Sequence, residues 1–90
     1  MSKEGIIMFK TKAKDGKNNI SGKNIAQLRT KFGYSQKDVA DKLQLIGIDV
    51  GKNSIQKIEA GKGYVNDIEL KALAEVFNIT PNDLLEEYIK

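Results

Sequence analysis

From Gly22 onward the apolar positions recur with a helical period. Ile25, Leu28 and Phe32 fall at i, i+3 and i+7 with Arg29 at i+4, so the spacing predicts an amphipathic helix that Gly33 closes. Ser35 then stands as an N-cap with Asp38 three residues on, opening a second helix through Val39, Ala40 and Leu43 that ends near Gly47. After a linker from Gly47 to Gly51, the segment Lys52 to Ala60 turns Ile55 and Ile58 inward and stops at Gly61. At only about two turns, this third helix needs tertiary packing to hold it. Asn66 followed by Glu69 is a second capping signal, and Leu70, Leu73, Ala74 and Phe77 carry a fourth helix to the neighbourhood of Asn78. Thr80-Pro81-Asn82-Asp83 combines an N-cap, a proline at the first helical position and an acid at the third, which predicts a fifth helix bearing Leu84, Leu85, Tyr88 and Ile89. Five short helices with small connections make an all-α domain over residues 22–90.

Residues 1–21 follow no such period. They hold five lysines and two glycines and are read as a basic N-terminal arm outside the main core, flexible or partly extended. The run Ile6 to Phe9 could be a short strand, a patch that docks on the core or on a second subunit, or part of a disordered end. The series Lys10, Lys12, Lys14 and Lys17 fits either a solvated tail or an arm that grips a polyanion.

Composition narrows the chemistry. The chain has 90 residues, of which 40% are hydrophobic, enough for one core but not for a second domain. Cysteine and histidine are both absent, which removes thiol catalysis, disulfides, Cys/His zinc sites and imidazole acid–base chemistry. No metal site and no cofactor are expected. The longest unbroken apolar run has four residues, so no membrane span and no secretory leader are expected, and the expected location is the cytoplasm. The net charge of +3 hides an asymmetry: residues 1–63 carry thirteen basic against six acidic residues, and residues 64–90 carry two against six. One side of such a molecule suits a polyanion, and the other avoids it.

The segments Leu28-Arg29, Tyr34-Ser35-Gln36-Lys37-Asp38-Val39-Ala40, Ile55-Gln56-Lys57-Ile58-Glu59-Ala60-Gly61 and Leu70-Lys71-Ala72-Leu73-Ala74 occur in this order. Together they resemble the Xre, or lambda-repressor-like (Cro-like), family of helix-turn-helix DNA-binding domains, over about residues 22–89. The resemblance implies a five-helix fold whose third helix enters the major groove of double-stranded DNA. It places base contacts at Lys52, Asn53 and Lys57, with Ser54 and Gln56 as further candidates. Lysine can donate to guanine O6 and N7, and Asn and Gln can bond bidentately to adenine. It also implies phosphate contacts at Ser35, Gln36 and Lys62, and a structural salt bridge between Arg29 and Glu59. Two departures stand out. Ala40 and Glu59 are nineteen positions apart, an insertion of about five residues within Gln44 to Asp49, which an extra turn on the second helix or a longer loop would absorb. After Lys62 the chain continues Gly63-Tyr64-Val65, where the family often has further basic residues.

Three function classes are distinguishable at this level. A sequence-specific transcriptional regulator is expected, a repressor at an operator of two half-sites, bound as a homodimer through the fifth helix or through Ile6 to Phe9. The alternative is an antitoxin-like or anti-repressor module on the same fold, with a toxin or another regulator as protein partner. An enzyme is not expected. Asp38 with Asp41, and Asp83 with Glu86 and Glu87, read as helix-surface charge, and Gly61-Lys62-Gly63 lacks the strand-and-helix context of a phosphate-binding loop.

Overall fold

Three reciprocal capping boxes start three of the helices. A computed structural model describes residues 12–86 and places α1 at Ser21–Phe32, α2 at Gln36–Leu45, α3 at Lys52–Glu59, α4 at Asp67–Val76 and α5 at Pro81–Leu84. Ser35 with Asp38, Asn66 with Glu69 and Thr80 with Asp83 each exchange two hydrogen bonds, side-chain oxygen to N3 amide and N3 carboxylate to cap amide. Aspartate therefore serves at N3 of α2 as well as the longer Glu69 does at N3 of α4. All described elements are helical. No helix among the described residues is long and apolar enough to cross a membrane.

The core forms where the inward faces of all five helices meet. Ile25 of α1, Val39 and Leu43 of α2, Ile55 of α3, Leu73 of α4 and Leu84 of α5 are each at most 2% exposed, as is Phe77 just beyond α4. Removing such side chains from water at about 25 cal/mol per Å² is the main favourable term holding so short a helix as α3. Phe32, Tyr34 and Phe77 form a three-ring cluster with centroids 5.5 to 6.2 Å apart, and the Lys42 ammonium lies 4.7 Å over the Tyr34 ring. This cluster ties the α1–α2 turn to the end of α4.

Close approach of α1 to α3 depends on Gly22. A β-carbon at this position would lie 2.1 Å from the backbone carbonyl oxygen of Ile58 and 2.7 Å from Asn19 Oδ1. Glycine at the start of α1 thus sets how near the end of α3 can come.

The inserted residues between α2 and α3 are absorbed mainly by a longer connection. α2 stops at Leu45, and residues 46–51 loop over to α3. The Ile48 amide returns to the Leu43 carbonyl at 2.9 Å, and Gln44 Nε2 donates to the Val50 carbonyl at 2.8 Å. Ile48 and Val50 pack on the core, while Leu45 is 86% exposed.

One expectation changes. The fifth helix is a single turn, because the buried Asn24 of α1 takes the carbonyls of Leu84 and Glu86 with its Nδ2 at 2.7 and 2.8 Å. Those oxygens are then satisfied by a side chain rather than by further helical turns. Leu85 is exposed, and Tyr88 and Ile89 lie outside the described residues, as does the run Ile6 to Phe9. Residues 12–20 contain no helix, as expected of an arm, and they are bonded to the body. The Asn18 amide donates to the Gly61 carbonyl at 2.9 Å, and Asn19 Nδ2 donates to the carbonyls of Ile58 and Gly63 at 3.1 and 2.7 Å.

Two outcomes follow for stability. Gly22→Ala lowers it by about 1–3 kcal/mol in chemical denaturation, the clash with Ile58 outweighing the roughly 0.4–1 kcal/mol that alanine contributes through the unfolded chain. Asp38 is held below the ordinary carboxylate range, first by the Ser35 backbone N–H and then by the Ser35 side chain, with Lys42 and Lys37 adding to it. A carboxyl depressed in the folded chain stabilises it at neutral pH, and this contribution is lost as pH falls through the depressed value. Asp38→Asn therefore flattens the acid limb of a stability–pH profile, measured by denaturation below the ordinary carboxylate range.

Candidate nucleic-acid interface

α3 presents one face inward and the other to solvent. Ile55 and Ile58 are buried, and Lys52, Asn53, Ser54, Gln56 and Lys57 are all exposed. Asn53, Gln56, Lys57 and Ala60, at i, i+3, i+4 and i+7, line a shallow concavity together with Lys62. The structure thus brings the expected phosphate-contacting Lys62 beside three of the expected base-reading side chains. Lys52 and Ser54 are exposed on α3 but do not line this concavity. Beyond α3, the Lys57 carbonyl accepts the amides of both Lys62 and Gly63, at 2.9 and 3.1 Å, and so fixes where Lys62 stands.

The electrostatics of this face depend on Glu59. It is the one acid of α3, and its side chain is 9% exposed. Arg29 Nε donates to Glu59 Oε2 at 2.7 Å, and Arg29 Nη2 donates to Oε1 at 3.1 Å, a two-pronged pair between α1 and α3. Arg29 Nη1 also donates to the Tyr34 carbonyl at 3.0 Å, which fastens the α1–α2 turn to the same guanidinium. The hydrogen bond to Glu59 raises the Arg29 pKa further, so the guanidinium stays charged at any pH at which the protein folds. With its carboxylate turned inward and neutralised, α3 offers solvent two ammonium groups and two amides.

Gln36 has a second function that the sequence did not disclose. Its Nε2 donates to Glu59 Oε1 at 3.0 Å, so the first residue of α2 joins the same carboxylate. A primary amide nitrogen carries two hydrogens, and one is used here. The side chain is therefore oriented by Glu59 while its other N–H stays compatible with the expected phosphate contact. Ser35 is exposed and its Oγ accepts the Asp38 amide at 2.9 Å, which accounts for it as a cap.

Asn19, Asn24 and Gly22 are the structural residues that sequence reasoning passed over. Asn19 left a local signal, since it stands three residues before Gly22 and its Oδ1 accepts the Gly22 amide at 2.7 Å, in the manner of a cap. Asn24 and Gly22 left none, because what they meet lies far along the chain.

Truncating the hub measures what the ion pair contributes to folding. Arg29→Ala leaves a mostly buried carboxylate without its charge partner and lowers stability by about 2–3 kcal/mol, somewhat less than a fully buried pair because the Arg29 side chain is 21% exposed. Thermal or urea denaturation measures this change.

Comparison with known proteins identifies the family. A model of the helix-turn-helix family matches residues 25–84. Over 61 residues the chain is 36% identical to the HTH-type transcriptional activator BcrR of Enterococcus faecalis; the match covers 68% of this chain and 28% of that protein. The chain thus spans little more than a quarter of this relative's length. No solved structure matches the chain significantly. The matched stretch runs from the buried Ile25 of α1 to the buried Leu84 of α5 and takes in both α2 and α3, and the chain belongs to the helix-turn-helix family of lambda-repressor-like DNA-binding domains.

Proposed function

We propose that this chain is a sequence-specific transcriptional regulator that inserts α3 into the major groove of an operator. Lys52, Asn53, Gln56 and Lys57 read base edges, with Ser54 at their margin, and Gln36, Ser35 and Lys62 bind backbone phosphates on either side. One observation carries this reading: α3 turns its single acid into an ion pair with Arg29 and leaves a donor-rich face without a carboxylate to repel phosphate. A B-form major groove is about 12 Å wide, matching the width of one helix with its side chains. The similarity to a protein named as a transcriptional activator supports a role in regulation. The direction of control then depends on where the operator lies, and an operator overlapping a promoter gives repression. Two copies on an inverted repeat would set their α3 helices about 34 Å apart, one turn of the duplex.

The alternative, an antitoxin-like or anti-repressor module that binds another protein, is less well supported. Its best footing is the exposed apolar set Leu45, Ile46, Tyr64 and Ile68, whereas a protein-binding derivative has no need of a cationic, amide-bearing face on α3.

The test is selection of bound duplexes from a random pool at near-physiological salt, followed by affinity measurement on the winner. A recovered inverted repeat supports the dimeric operator, and failure to enrich any sequence overturns the regulator reading for the protein alone. Lys52→Ala and Asn53→Ala each reduce discrimination at one base position by about 1–3 kcal/mol and leave the unfolding midpoint nearly unchanged. Log affinity falls linearly with log salt, and a slope near zero contradicts the proposal.

A further inference from the structure

The arm's second half is held against the same end of α3 that carries Lys62. Residues 12–20 contain three lysines and a single acid, Asp15. That acid is occupied: its Oδ1 accepts the Lys17 amide at 3.0 Å, and its Oδ2 lies 3.5 Å from Lys23 Nζ. Two successive asparagines fasten the segment. Asn18 Nδ2 donates to the Lys62 carbonyl at 2.9 Å, and Asn19 bonds the carbonyls of Ile58 and Gly63. The Lys12 ammonium donates in turn to Asn18 Oδ1 at 2.7 Å.

Gly61 shows how close the segment comes. It has φ +80°, and a β-carbon there would lie 2.4 to 2.9 Å from Cδ, Cγ and Cβ of Lys17. The stem of Lys17 therefore lies directly over the turn that ends α3. Asn19 accepts the Gly22 amide and bonds the loop carbonyls, and Asn18 adds bonds of its own. The Asn18 bonds place Lys12 and the stem of Lys17 beside the Gly61–Lys62 turn, and the acids Asp15 and Glu59 are engaged with Lys23 and Arg29. Gathering like charges costs self-repulsion in the free protein, and a polyanion relieves it.

We propose that residues 12–18 form a second phosphate-gripping edge of the DNA interface. In it Lys12 and Lys17 bind backbone phosphates next to the one taken by Lys62, and Asn18 and Asn19 are positioning residues that hold the segment in place. The proposal rests on the DNA-binding reading above. It also explains how the chain compensates for the Gly63-Tyr64-Val65 sequence after Lys62, where further basic residues are missing: the cations come from the other side of the loop.

The test uses the full chain with Lys12→Gln and Lys17→Gln combined. Glutamine keeps most of the stem over Gly61 and removes the charge, so folding and charge are separated. Binding is measured against salt on the selected duplex and on a scrambled one, with Lys71→Gln on α4 as the control. The proposal expects affinity for both duplexes to fall by the same factor, about tenfold near 0.2 M salt, and the log–log salt slope to become shallower by about 1.8, or roughly 0.9 for each phosphate no longer neutralised. The selected sequence stays the same, and the control matches the wild type. Unchanged affinity and slope in the double variant overturn the proposal while leaving the DNA-binding reading intact, and so does a weakening confined to the selected duplex. A wild-type chain with no affinity for either duplex overturns both.

Discussion

The carboxylate of Glu59 is where the helices that build the proposed recognition surface are joined. Arg29 reaches it from α1 through two nitrogens, Gln36 reaches it from the first turn of α2, and Glu59 itself ends α3. The same guanidinium holds the Tyr34 carbonyl, so the turn between α1 and α2 is fixed relative to α3 as well. A helix of eight residues cannot persist alone in water, and burial of Ile55 and Ile58 supplies the general driving force for docking it. Apolar burial is not directional. The fork of hydrogen bonds on Glu59 is directional, and together with the buried stripe of Ile55 and Ile58 it holds the rotation of α3 about its axis.

This arrangement links stability to recognition through charge. Had Glu59 pointed to solvent, the outward face of α3 would carry an acid among Lys52, Lys57 and Lys62. Turned inward, it stabilises the packing of three segments and leaves the face cationic. The uneven charge of the chain then acquires a spatial meaning, with Lys12 and the stem of Lys17 held beside the turn that carries Lys62. The acids Asp67, Glu69, Glu75 and Asp83 lie on and after α4.

Much of this could be read from the sequence, for a local reason. Period and caps act within three or four residues, so Ser35-Asp38, Asn66-Glu69 and Thr80-Asp83 announced three helix starts that the structure reproduces bond for bond. The inward-facing Ile55 and Ile58 likewise determined which α3 residues would be exposed. Interactions across long separations were not legible. Asn24 ends α5 from sixty positions away, Gly22 admits a carbonyl thirty-six positions on, and Asn19 closes a loop forty-four positions on. Gln36 illustrates both levels: its position at the start of α2 was evident, but its bond to Glu59 needed the packing of α2 on α3 to become visible.

On the reading proposed above, α3 and the residues the Glu59 hub aligns with it form the surface that meets DNA. Amide chemical-shift mapping of the isotope-labelled chain, titrated with its selected duplex at near-physiological salt, tests this most directly. The account predicts that the largest changes cluster at Gln36, Asn53, Gln56, Lys57 and Lys62, with α4 and α5 little affected. Changes centred on α4 and α5, with α3 unperturbed at saturation, would contradict it.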